Sequence, residues 1–140
     1  MIYIIVQIYT KKTNYNFWTN YKFTLVLGLY GREKIYAATY FDAPTEYAST
    51  AFKLFRNYDG KKSTFGDISV DAISSKIPYA TVYASTEKAN NDSVMHIIVI
   101  AKDLQQAING SFTINGSIKY DKAKIYYFDN SSPDLSLLVR

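Results

Sequence analysis

No cysteine occurs in this 140-residue chain. Disulfides and thiolate metal sites are thereby excluded. Histidine occurs once, at His96, inside an apolar run. A lone imidazole without cysteine makes no zinc site, so His96 reads as a packed or edge histidine. Glutamate is scarce too, with Glu33, Glu46 and Glu87 the whole supply. Asp92, Asp103 and Asp129 do not follow a calcium-loop spacing. Gly28, Gly31 and Gly66 make no phosphate-binding fingerprint. The expectation is no metal and no cofactor. Trp18 is the single tryptophan, so a cluster of exposed indoles for stacking on sugars is ruled out. Basic residues are scattered, and only Lys11-Lys12 and Lys61-Lys62 are adjacent. The net charge of +4 then reads as a mildly basic solvated surface. Nucleic-acid binding wants a basic stripe or a motif, and neither is visible. Long hydrophobic runs are missing as well. Residues 1–9 are apolar but shorter than a membrane span. They lack the charged start and the cleavage site of a signal peptide. Neither nucleic acid nor membrane is expected as a partner.

What is present is a folding composition. The chain is 48% hydrophobic and 20% charged, with 14 tyrosines. Its length suits one modest domain. Ile2, Ile4, Ile5, Val6 and Ile8 are β-branched and predict a buried strand over residues 1–9. Residues 10–20 read as a loop. Residues 21–27 fit a short strand or a helix start, with Gly28 and Gly31 as breakers. Residues 35–41 are continuously apolar, like a parallel strand buried on both faces. A helix follows, with Thr45 as N-cap and Glu46 at its positive end. Ala51, Phe52, Leu54, Phe55 and Tyr58 recur at helical spacing. Asp59-Gly60 ends that helix, because glycine accepts the left-handed conformation of a C-terminal cap.

Beyond this point the period shifts towards two. Strands are expected over 68–74, 79–86, 94–102, 107–115, 119–128 and 135–139. Polar turns separate them, among them Asn115-Gly116 and residues 130–134. Short strands at regular spacing predict an antiparallel sandwich. Lys119, Lys122 and Lys124 would guard its edges. The Asn-x-Ser sequons at Asn91, Asn109, Asn115 and Asn130 matter only in a eukaryotic secretory setting.

The run Arg56-Asn57-Tyr58-Asp59-Gly60, followed by Ser63-Thr64-Phe65-Gly66-Asp67-Ile68-Ser69-Val70, resembles a segment of glycoside hydrolase family 44. Leu27-Gly28-Leu29-Tyr30-Gly31-Arg32-Glu33 resembles that family's segment before the eighth barrel strand. Val99-Ile100-Ala101-Lys102-Asp103 resembles one of its sandwich strands. The similarity runs from about Leu25 to the C-terminus. The family includes endo-β-glucanases and xyloglucanases with a (β/α)₈ barrel and a β-sandwich. The resemblance implies a mainly β chain, an antiparallel β-sandwich preceded by a short β/α remnant of the barrel. The remnant would span residues 1–64 and the sandwich residues 65–140.

It also implies a role. A barrel needs eight strand–helix units, and this chain holds one or two. Family 44 enzymes use two barrel glutamates, and Glu33, Glu46 and Glu87 match neither position. Thr13-Asn14-Tyr15-Asn16 resembles the nucleophile segment Thr-Glu-Tyr-Asn, with Asn14 in place of the glutamate. A neutral amide oxygen is no glycosyl nucleophile. No catalytic residue is therefore expected here. Tyr40 and Phe41 fall where the family carries a substrate-facing aromatic. The expected role is a non-catalytic C-terminal domain or fragment. Its partners would be the missing catalytic barrel and, through the parent enzyme, a β-glucan. A secreted parent is implied. The alternative is a stand-alone carbohydrate-binding module with Trp18, Tyr79, Tyr83, Tyr120, Tyr126 and Tyr127 as its platform, although β-rich proteins also use tyrosine for half-buried packing.

Overall fold

A computed structural model describes residues 1–7, 15–41, 43, 44, 46–103, 108–129 and 131–138, with side chains except at residues 7 and 15–21. In chain order the elements are β1 (Ile2–Gln7), α1 (Tyr15–Arg32), α2 (Glu46–Arg56), β2 (Ile68–Val70), β3 (Ala80–Thr86), a 3-10 turn (Lys88–Asn90), β4 (Met95–Ala101), β5 (Ala123–Asp129) and β6 (Ser132–Leu138). The chain is mainly β, and the strands form one mixed sheet in the order β2-β3-β4-β1-β5-β6.

β1 lies in the middle of that sheet. It runs parallel to β4, with Ile5 opposite Ile98, and parallel to β5, with Ile5 opposite Tyr126. A strand with neighbours on both sides suits the β-branched run at residues 2–6. The outer pairs β2–β3, β3–β4 and β5–β6 are antiparallel. Side chains alternate across the sheet. One face carries Ile5, Ile98, Ile100, Tyr126 and Phe128, which form the core with Tyr47, Leu54 and Tyr58. α2 supplies Tyr47, Ala48, Thr50, Ala51 and Leu54 from one stripe, all buried. The Thr50 hydroxyl meets both Glu46 O (3.1 Å) and Pro133 O (2.5 Å), which fastens α2 to β6.

α2 ends at Arg56, ahead of the expected Asp59-Gly60 cap, and Gly60 instead closes the turn that follows, its N donating to Asn57 O at 3.3 Å. Gly60 has φ of +74°, where a side chain would be strained. Asp59 closes the turn by accepting from Lys61 N (2.8 Å) and from the Ser63 hydroxyl (2.7 Å). Burial raises its carboxyl, but those bonds outweigh burial and hold it below the usual range.

Several expectations are corrected. Residues 15–20, read as loop, open α1, and Gly28 and Gly31 lie inside that helix instead of breaking it. Gly28 has a packing reason: a Cβ there would sit 2.2 Å from the Tyr83 ring. Residues 35–41 form no strand, and Tyr36 and Phe41 are fully exposed. An apolar run becomes a strand only beside strands that accept its ladder, and β1 already fills the sheet centre. Residues 108–122 also form no strand. Asn109-Gly110 and Asn115-Gly116 interrupt that run, and glycine and asparagine disfavour strands. Pro133 and Asp134, read as turn, belong to β6. Its edge position leaves the missing Pro133 N–H harmless. Lys124 lies on β5, between β1 and β6, while the edges are β2 and β6. The described strands make one mixed sheet, in which β1 pairs parallel to β4 and β5 where antiparallel pairing was expected.

Candidate functional site

Among the described residues, two places gather polar chemistry. The first is interior. Tyr58 follows α2 and turns its hydroxyl to His96 Nε2 at 2.9 Å. His96 is fully buried on β4, and its ring stacks on Tyr3 of β1 with centroids 5.3 Å apart. Glu87 Oε1 approaches the same Nε2 at 3.4 Å. Nδ1 of His96 is buried and has no hydrogen-bond partner.

The network assigns the tautomer. A proton on Nε2 lies between Tyr58 Oη and the Glu87 carboxylate. It leaves Nδ1 as a bare acceptor, which is cheaper to bury than an orphaned N–H. Burial pushes His96 below its usual pKa, and Glu87 offsets only part of that. Burial also pushes the Tyr58 phenol far up, against the lowering effect of a hydrogen bond with Ser63. Both groups are neutral at pH 7. The cluster ties α2, β1, β4 and the 3-10 turn together, and its closed interior suits structure better than proton transfer to a substrate.

The second place is a cleft of about 460 Å³ between the end of α1 and strands β2 and β3. Arg32, Phe55, Phe65, Asp67, Asp71 and Tyr83 are among its walls. Most polar atoms there are engaged. Tyr83 Oη donates to Leu25 O at 2.9 Å, Ser85 Oγ donates to Phe65 O at 2.6 Å, and Asp67 Oδ1 accepts from Lys88 N at 2.9 Å.

The three glutamates fall in three separate places, and none lines the cleft. Glu33 pairs with Arg32 at 3.0 Å on an exposed surface. Glu46 opens α2, and Glu87 flanks His96. A glycosidase needs two carboxyls facing one bond, and these three do not meet. Asn14, Asn130 and Thr45 lie outside the described residues, as does the Trp18 side chain. Tyr40 packs edge-on against Phe23 (4.9 Å) and Phe52 (5.8 Å), while Phe41 is 98% exposed. Neither residue borders the cleft.

Of the platform tyrosines, Tyr126 is buried against Tyr58 (5.3 Å), and Tyr120 Oη donates to Asp92 O at 2.9 Å. Tyr79 is 48% exposed. Sequence reasoning missed the Tyr58–His96–Glu87 cluster, because residues 58, 87 and 96 meet only when β4 is placed under α2. It also passed over Asp71, and it read Asp67 only as part of the family-like segment and not as a wall of the cleft. Among the described residues no group of three or more His, Cys, Asp or Glu is arranged to hold a metal ion. No described helix is long and apolar enough to cross a membrane.

No family model matches the chain. Endoglucanase A of Paenibacillus lautus is 40% identical over 112 residues, which are 79% of this chain and 16% of that protein. Beta-mannanase/endoglucanase A of Caldicellulosiruptor saccharolyticus is 37% identical over 109 residues, 78% of this chain and 8% of that protein. In fold, the chain resembles a family 44 xyloglucanase of Paenibacillus polymyxa with a TM-score of 0.67 at 26% identity, covering 95% of this chain and 26% of that one. The structure with xyloglucan of a P. polymyxa family 44 xyloglucanase matches at a TM-score of 0.66, with 25% identity over 95% of this chain and 27% of that one. The chain thus spans between about a twelfth and about a quarter of the length of the relatives it matches. It is similar over most of its own length to a segment of glycoside hydrolase family 44.

Proposed function

From this likeness to glycoside hydrolase family 44, we propose that the chain is a non-catalytic C-terminal part of such an enzyme. The observation that carries the reading is coverage: 79% of this chain matches 16% of an endoglucanase. The separate positions of Glu33, Glu46 and Glu87 support it. Residues 1–64 are read as the end of a barrel and residues 65–140 as the β-rich part that follows. Both α-helices fall in the first segment, and β2 to β6 fall in the second. The sandwich reading draws support from the sheet face away from α2. Ile4, Val6, Val99, Ile125 and Tyr127 on that face are half-buried and Ile97 is buried, and an apolar face is one that a second layer covers. Burial of Tyr126 and the engaged hydroxyls of Tyr83 and Tyr120 favour tyrosine as packing over tyrosine as a sugar platform.

The role is structural, packing against a catalytic barrel that acts on a β-glucan. In the whole enzyme Tyr40 and Phe41 contact substrate, with Tyr40 steadied by Phe23 and Phe52 and the Phe41 ring free. The purified chain should release no reducing sugar from carboxymethylcellulose or xyloglucan. Turnover that survives repurification and is lost in Glu33→Gln, Glu46→Gln or Glu87→Gln would overturn the reading. Titration calorimetry with cello-oligosaccharides and xyloglucan fragments should show no micromolar binding. Binding lost on Tyr79→Ala or Tyr127→Ala would favour a carbohydrate-binding module instead.

A further inference from the structure

We propose that Asn109 and Asn115 are sites of spontaneous succinimide formation, through which the folded chain acquires two new carboxylates. Each is followed by glycine, in Asn109-Gly110 and Asn115-Gly116. Both asparagines are exposed and lie in a stretch with neither helix nor strand. Neither glycine has any atom within 4 Å of where a Cβ would stand. The reaction needs these features together. The backbone nitrogen of the following residue must reach the asparagine Cγ, and a residue without Cβ lets it approach. An irregular backbone leaves that nitrogen free to move, whereas a helix or sheet ladder would hold it.

The chemistry balances with water alone. The deprotonated Gly110 nitrogen attacks Asn109 Cγ, the Cγ–Nδ2 bond breaks, and ammonia leaves. Water then opens the five-membered imide at either carbonyl and gives aspartate or isoaspartate. The same steps hold for Asn115 and Gly116. Net charge falls from +4 to +2, as two neutral amides become carboxylates. The new charges would stand among Ile108, Phe112, Ile114 and Ile118, all exposed. Where isoaspartate forms, the backbone also lengthens by one methylene.

Other asparagines give an internal contrast. Asn57 precedes Tyr58, and its Oδ1 accepts from Lys62 N at 2.7 Å, which holds the amide in place. Asn90 lies in the 3-10 turn and precedes another asparagine, and its side-chain amide is paired with Glu87.

The test is incubation of the purified full chain in mildly alkaline buffer, folded and in urea, followed by peptide mass spectrometry and isoaspartate detection. Asn109 and Asn115 should convert at least tenfold faster than Asn57 and Asn90 in the folded chain, in keeping with the thermolability of exposed amides. Their rates should be similar in the folded and unfolded chain. Gly110→Ala, which meets open space, should slow conversion at Asn109 and leave Asn115 unchanged. Intact Asn109 and Asn115 in the folded chain beside rapid conversion in urea would overturn the proposal. So would a Gly110→Ala variant that converts at Asn109 as fast as the parent.

Discussion

Tyr58 Oη lies 2.9 Å from His96 Nε2, with both residues closed off from solvent. The contact joins a residue of the turn after α2 to a strand in the interior of the sheet. Tyr3 and Tyr126 pack their rings on the same phenol, at 5.5 and 5.3 Å. A hydrogen bond in such a place is expensive to leave half made, since one lost partner strands the other.

Tyr58→Phe should therefore destabilise the chain by about 1–3 kcal/mol, the penalty for an unsatisfied buried polar group. The ring contacts with Tyr3 and Tyr126 survive the change, so the loss reports the hydroxyl. Urea unfolding of parent and variant measures it. An unchanged midpoint would show that His96 is satisfied elsewhere.

His96 also sets a pH dependence. Its folded pKa is lowered from the ordinary 6.5, chiefly by burial. Between that lowered value and 6.5 the unfolded chain binds a proton that the folded chain refuses. Stability then rises with pH across this window. It falls as pH drops from neutral through 6.5 and levels off below the folded pKa, until carboxylates titrate. The groups around the ring are Tyr3 from β1, Tyr58 after α2, Phe65 from the next loop and Glu87 before the 3-10 turn. Of these, only Glu87 opposes the shift. Thermal melts should show the slope in the parent and its loss in His96→Phe, whatever the absolute stability of that variant. A parent melting temperature that stays flat from neutral to mildly acidic pH would contradict this.

The two glycines of α1 should respond in opposite directions. Gly28→Ala pushes a methyl into the Tyr83 ring, which a Cβ would approach at 2.2 Å. Overpacking of this kind costs about 1–3 kcal/mol. Gly31→Ala meets nothing within 4 Å. In the last turn of α1 it should add up to about 1 kcal/mol, because alanine loses less backbone entropy. Tyr83→Leu should relieve part of the Gly28→Ala loss. Equal effects at both positions would show that α1 does not lie against β3 as described.

How far the fold can be read from sequence follows from how local each signal is. The left-handed turn at Asp59-Gly60 and the stripe through Ala51 and Leu54 were legible, because both depend on neighbours a few residues away, although the helix stops at Arg56, short of that turn. β1, β3 and β4 were legible as strands from their β-branched runs. Their partners were not, since nothing in residues 1–9 says that Ile5 will lie between Ile98 and Tyr126. The misreading of α1 came from Gly28, whose use in close packing against Tyr83 depends on a residue far along the chain. Residues 35–41 and 108–115 show the opposite failure, apolar runs with no neighbouring strand to receive them. The longest stretch carrying the family resemblance was residues 56–70, where the turns after α2 fix the backbone locally. His96 was readable as a packed residue, but its partnership with Tyr58 and Glu87 was not.

The central place of β1 leads to the sharpest test of how the segments cooperate. Its amides pair with β4 on one side and β5 on the other, and Ile5 is fully buried. A strand bonded on both flanks opens only when the sheet opens, so its exchange tracks global stability. Native-state hydrogen exchange should find Ile4, Ile5 and Val6 as slow as Ile97, Ile98 and Val99. The short edge strand β2, with Ile68 and Ser69 exposed, should exchange fastest among the strands. A chain lacking residues 1–7 would expose the facing edges of both β4 and β5 and should unfold or aggregate. Fast exchange at Ile4 to Val6 beside slow exchange at Ile97 to Val99 would mean that residues 65–140 hold together without β1. The two segments would then be independent units, and β1 an added strand rather than the centre of the sheet.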